Sequence, residues 1–212
     1  MKKFIVFEGI DGSGKSTQAR LLQRSLEKQK LKSILTREPG GTNFSEKIRN
    51  LIVKNDKDGI LPLTELLLIY ASRHEHVSKK IIPNLKTKYV ICDRFFFSTI
   101  CYQILTNKIP INLFKFLHKN FSYNLIPDIT IILSLDPMDS IKRSLKRRNN
   151  ETKFELKNKK FHKTIFKGFD DLSKKKNVKL FKTNESIDEV HIKIIDYLNT
   201  KKIFKNKIPY YF

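Results

Sequence analysis

Residues Gly9-Ile10-Asp11-Gly12-Ser13-Gly14-Lys15-Ser16, followed by Thr17, match the spacing G-x-x-x-x-G-K-[ST]. Glycines at these positions let backbone N–H groups turn inward around phosphate oxygens, and a helix N-terminus adds partial positive charge. Lys15 would bridge the outer phosphates, and the Ser16 hydroxyl would be a ligand to Mg²⁺. A chance match in a loop is the competing reading. The apolar run before the loop and the helical periodicity after it argue against chance. A nucleoside triphosphate site follows, shared by GTPases, motor ATPases and small-molecule kinases.

Three further segments narrow the choice: Thr36-Arg37-Glu38-Pro39-Gly40-Gly41-Thr42, Tyr70-Ala71-Ser72-Arg73, and Asp93-Arg94-Phe95 with Ser98-Thr99-Ile100-Cys101-Tyr102-Gln103. The first and third end predicted strands, whose carboxyl ends border one crevice in a doubly wound sheet. Arg37 and Arg94 would face the phosphate loop there from an acceptor side. The N-K-x-D signature with which GTPases read their base is absent. Only nine arginines stand against 34 lysines; three (Arg37, Arg73, Arg94) lie in these segments and three more (Arg143, Arg147, Arg148) in a basic segment farther along the chain. Where lysine is the default cation, arginine points to a need for a planar, bidentate donor.

The elements that must position these residues are legible from periodicity. Strands are predicted at Lys3–Glu8, Ser33–Thr36, Tyr89–Cys92, Asp128–Leu135 and Val178–Phe181, each a short run rich in apolar residues. Helices are predicted at Lys15–Lys30, at Phe44–Val53, from Pro62 to a stop before Pro83, over most of 98–121, at 161–175 and at 186–203. Strands alternate with helices and no hairpin signal occurs, so the fold class is α/β. The expected architecture is a parallel sheet with helices on both faces in one domain, 1–212.

With these residues in view the chain resembles the bacterial thymidylate kinases, a family of P-loop kinases that transfer phosphate from ATP to dTMP. The resemblance rests on the phosphate loop, the T-R-E-P-G-G-T segment, the helix with Arg73, the D-R-F and S-T-x-x-Y-Q runs, and a basic segment reaching Phe154-Glu155. It implies a P-loop NTPase fold with a five-stranded parallel sheet, a short basic lid at about 142–156, Mg²⁺, and a homodimer.

Carried over by motif, ATP is held by Gly9, Ile10, Asp11, Gly12, Ser13, Gly14, Lys15, Ser16 and Thr17. Ser16 and Asp93 hold the metal. Arg37, Glu38, Ile69, Arg73, Arg94, Ser98, Thr99, Tyr102 and Gln103 hold dTMP: Arg94 clamps its phosphate, Tyr102 lies under the deoxyribose, and Arg73 reaches a thymine carbonyl. Lys15, Arg94, Asp11, Arg148 and Lys153 form the catalytic set. The chain departs from the family at two points. Some relatives carry a catalytic arginine where Gly12 stands, so the lid must supply cations here, from Arg143, Arg147, Arg148 or Lys153. Relatives commonly carry a phenylalanine one helical turn before the helix arginine, where this chain has Ile69.

The formal net charge of +22 invites a nucleic-acid reading. Lysine, isoleucine, asparagine and phenylalanine are all abundant, their codons are rich in A and T, and the lysines are scattered. Mutational bias therefore explains the charge without a specific nucleic-acid partner. No apolar run approaches the roughly 20 residues of a membrane span, and Cys92 and Cys101 form no disulfide framework. A cytoplasmic enzyme is expected. The competing readings are a related deoxynucleotide kinase with broader acceptor choice, and a polynucleotide-stimulated ATPase.

Overall fold

A computed structural model describes residues 2–53, 59–145, 153–154 and 157–212. The expected lid residues Arg147, Arg148 and Glu155 lie outside them. In chain order the elements are β1 (Phe4–Gly9), α1 (Lys15–Lys28), β2 (Ser33–Arg37), α2 (Asn43–Val53), α3 (Pro62–His76), α4 (Ile82–Leu85) and β3 (Tyr89–Asp93). There follow α5 (Phe96–Thr99), α6 (Ile111–Phe121), β4 (Ile129–Ser134), α7 (Pro137–Leu145), α8 (Lys159–Ser173), β5 (Val178–Lys182) and α9 (Ile187–Thr200).

The five strands form one parallel sheet in the order β2-β3-β1-β4-β5. Alternation along β1 divides the core. Ile5 and Phe7 pack with Leu22 of α1 and Ile194 of α9, while Phe4 and Val6 face Val77, Ile81 and Leu85 on the other side. Helices therefore cover both faces, as the near-continuous apolar strands demand. The chain runs to one side of β1 for β2 and β3, then crosses to the other for β4 and β5. That reversal opens a crevice at the carboxyl ends of the strands.

The helix from Pro62 does not stop before Pro83. A π-helical stretch at Val77–Ile81 follows α3 and leads directly into α4, which contains Pro83. Proline lacks an N–H and its ring crowds the preceding turn; the wider π turn gives that ring room. Asn84 Nδ2 donates to Lys80 O at 2.8 Å, occupying one carbonyl in the distorted stretch. A second π segment, Ile100–Leu105, continues α5 and carries Tyr102 and Gln103.

Candidate active site

The phosphate loop is shaped by contacts that exclude side chains. Gly9 has φ +134°, and a Cβ there would lie 2.2 Å from Leu133 O of β4. Gly12 has φ +81°, and its Cβ would meet Ser140 O of α7 at 2.3 Å. No side chain caps the start of α1, so its first N–H groups remain available to an anion. Lys15 is buried and its Nζ donates to Ile10 O at 2.7 Å. Burial, and then the Arg94 charge, push its ammonium down to about 8 against the pull of Asp11 and Asp93.

Ser16 Oγ donates to Asp93 Oδ2 across the loop, and Asp93 Oδ1 is buried with no hydrogen-bond partner. Two hard oxygen donors side by side suit Mg²⁺, which keeps much of its water and needs few protein ligands. Among the described residues no cluster of three or more His, Cys, Asp or Glu could cage a metal without such help.

The opposite wall is built from the turn after β3. The register Phe7↔Asp93 brings that strand's end beside the loop. Arg94 N donates to Phe7 O at 2.8 Å while Arg94 takes a left-handed φ of 69°. This conformation is strained for a non-glycine residue and is held by its surroundings. It sends the guanidinium back over the loop. Nη1 donates to Gly9 O (3.0 Å) and Ser98 Oγ (2.9 Å), and Nη2 pairs with Asp11. Tyr102 completes the group: its hydroxyl donates to Asp11 Oδ2 at 2.7 Å, and Arg94 lies over its ring. Burial would raise the Asp11 carboxyl, but Arg94 and Lys15 outweigh it and hold it at about 2.

From Arg94 a cleft of about 740 Å³, its open mouth included, runs to Arg73, with Asp11, Ile69, Phe95, Ser98, Tyr102 and Gln103 on its walls. Arg73 is buried at its far end. Its Nε donates to Glu38 Oε2 (2.7 Å) and its Nη2 to Thr99 Oγ1 (2.8 Å). Ile69 lines the cleft and also packs on Ile48 and Ile52. Gln103 Nε2 donates to Glu65 Oε1 at 2.8 Å.

Two expected positions differ. Arg37, expected to face the loop, ends edge strand β2 with its side chain about half exposed and paired at 2.8 Å with Glu46 of α2. Strand alternation turns Thr36 inward and Arg37 out. Lys153, expected among the lid cations, pairs with Glu65 and donates to Ile52 O at 3.0 Å, on the acceptor side. Phe154 beside it packs against the Tyr102 ring. Arg143 donates to Thr183 O and lines a second cleft, on the other side of the phosphate loop, with Thr17, Gln18, Ser186 and Ile187.

Three contributors escaped the sequence reading. Glu8 is fully buried and accepts from Phe95 N, Ser98 N and Ser98 Oγ, fixing the turn that carries Arg94. Its signal was visible: a carboxylate within an otherwise apolar strand. Arg49 of α2 lines the acceptor cleft and donates to Pro39 O at 3.1 Å. Glu65 fixes Gln103 and Lys153 together. Neither of these two bears a spacing signal.

A family model described as thymidylate kinase matches residues 7–194. The thymidylate kinase of Rickettsia typhi is 46% identical over 172 residues, covering 81% of this chain and 83% of that protein. That of Rickettsia peacockii is 43% identical over 193 residues, covering 89% and 93%. The crystal structure of thymidylate kinase from Ehrlichia chaffeensis aligns with a TM-score of 0.76 at 35% identity, over 93% of this chain and 98% of that one. Phosphate loop, arginine turn and cleft thus stand on a chain that belongs to the thymidylate kinase family.

Proposed function

We propose that this chain transfers the γ-phosphoryl group of ATP to dTMP, giving dTDP. One observation carries the reading: a single cleft leads from the Arg94–Asp11–Tyr102 group beside the phosphate loop to the buried Arg73–Glu38 pair. A nucleoside monophosphate placed in it has its phosphate at the loop and its base at Arg73. Arg94 and Arg49 hold the acceptor phosphate, Tyr102 covers the deoxyribose, and the base lies between Ile69 and Phe95 with Arg73 and Gln103 at its edge.

The phosphate loop takes the ATP phosphates, and the cleft by Arg143 and Ile187 takes the adenosine. Ser16 and Asp93 would hold Mg²⁺, which would supply charge neutralisation when bound. The protein then needs little covalent chemistry: it aligns the two phosphates in line and surrounds the moving group with Lys15 and Arg94. We assign the enzyme to the cytoplasm, where its two buried free thiols remain reduced. No helix among the described residues is long and apolar enough to cross a membrane.

A coupled ADP-release assay over a nucleotide panel tests the reading. ATP turnover should be negligible until dTMP is added, and Lys15→Ala should abolish it in a folded protein. Turnover that ignores dTMP, or survives Lys15→Ala, would overturn the assignment.

A further inference from the structure

We propose that His76 is a positioning residue for the acceptor base, acting through Glu38 on Arg73. His76 is fully buried and forms no part of the cleft wall. Its Nδ1 lies 3.1 Å from Glu38 Oε1 and its Nε2 2.7 Å from Thr36 Oγ1. The other carboxylate oxygen, Glu38 Oε2, accepts from Arg73 Nε at 2.7 Å. Thr36, His76, Glu38 and Arg73 thus form one hydrogen-bonded chain from the end of β2 to the closed end of the cleft.

The chemistry fixes the direction of the middle link. Burial would raise the Glu38 carboxyl, but Arg73 and His76 outweigh it and hold it below the usual range. An ionised carboxylate only accepts, so Nδ1 is the donor. With both oxygens engaged, the carboxylate cannot turn about its terminal bond, a torsion that is otherwise broad. Glu38 and Thr99 then grip the guanidinium at Nε and Nη2, which sets its plane. Without the imidazole, one buried carboxylate oxygen would lose its donor and the plane would be free to tilt.

Two further features show a loop built around the imidazole. A Cβ on Gly41, where φ is +92°, would lie 2.3 Å from His76 Nε2 and 2.6 Å from Thr36 Oγ1. The backbone closes over the ring with no room for a side chain. Arg73 and His76 are three apart on α3 and share a face, whereas His74 points outward and stacks on Tyr123.

The inference rests on the reading that Arg73 meets the base of dTMP. Two amides separate positioning from packing: an Asn side chain places its nitrogen near the Nδ1 position, and a Gln side chain near Nε2. His76→Gln should raise the KM for dTMP about tenfold, a loss of about 1.4 kcal/mol, with kcat moving less than threefold and the KM for ATP less than twofold. His76→Asn should recover most of the loss. In an Arg73→Ala background, His76→Gln should add less than twofold, because its effect passes through the missing guanidinium. Full additivity in that background, equal loss in both amides, or a matching rise in the ATP KM would overturn the relay and leave a packing residue. A raised dTMP KM in Arg73→Ala with none in His76→Gln would overturn the relay alone. An unaltered KM in Arg73→Ala would overturn the base contact and the relay with it.

Discussion

Glu8 shows what one buried charge does to the site and to stability. Burial outweighs the Ser98 hydrogen bond and the Arg94 charge, pushing its carboxyl up to about 7 from an ordinary 4.5. A carboxyl raised in the folded state contributes stability that is fully present below the unfolded value, near 4.5. That stability is lost as pH rises through about 7, and it amounts to up to about 3 kcal/mol. Glu8→Gln keeps an acceptor oxygen for Phe95 N and Ser98 N, so it should fold and flatten the fall in urea midpoint between about pH 4.5 and 7. An unaltered slope would place the titration elsewhere. Ile69 lines the acceptor cleft and also packs with Ile48 and Ile52, so base cover and core packing make separable predictions. Ile69→Phe offers the base a ring worth about 1–3 kcal/mol against overpacking of about 1–3 kcal/mol beside Ile48 and Ile52. Stacking at full strength would lower the KM for dTMP severalfold, with the ATP KM unaltered and the melting temperature reduced. An equal or higher dTMP KM in the folded variant would show that Ile69 does not cover the base. Arg37 could not be placed from sequence, because its partner Glu46 lies on a separate helix and no spacing rule joins them.

At the scale of elements, the strands were the most legible feature. Short apolar runs bounded by polar residues give β1, β3 and β4, and the alternation with helices gives the parallel sheet. The continuation through Pro83 was hidden, since a π turn leaves no periodic signature and a proline normally reads as a stop. The buried polar chain of Thr36, His76 and Glu38 was hidden for another reason: it joins residues 38 and 40 apart in sequence. Gly12 ties the phosphate loop to α7, where Ser140 O would meet any Cβ at 2.3 Å. Introducing an arginine there should therefore fail. Gly12→Arg is expected to cost more than about 2 kcal/mol, from left-handed backbone strain and displacement of α7. Thermal melts and steady-state kinetics should show a lower melting temperature and no gain in kcat. A stable, faster variant would show that α7 yields easily and that the loop can hold its own cation.

For the whole molecule, the exposed apolar helices point to a partner and the positive charge does not. Leu63 and Leu67 lie one turn apart and exposed on α3, and Phe44 and Leu51 are exposed on α2, which packs against α3. We propose that two copies of the chain would meet at this face. Light scattering should then give the mass of two chains for the wild type and of one for Leu67→Glu; a single-chain mass for the wild type would overturn the dimer, and an unaltered two-chain mass in Leu67→Glu would place the contact elsewhere. The lysines, by contrast, are scattered, with four of α8 (Lys159, Lys160, Lys163 and Lys167) around one open depression, and the charge should give only weak polyanion binding that fades with salt. Phosphoryl transfer to dTMP is read by following the label from [γ-³²P]ATP with dTMP, dUMP, dCMP or single-stranded DNA present. The account predicts label in dTDP, equal in amount to the ADP formed, with far less transfer to dCMP and no stimulation by DNA. Label released as inorganic phosphate, stimulated by DNA and indifferent to dTMP, would contradict it.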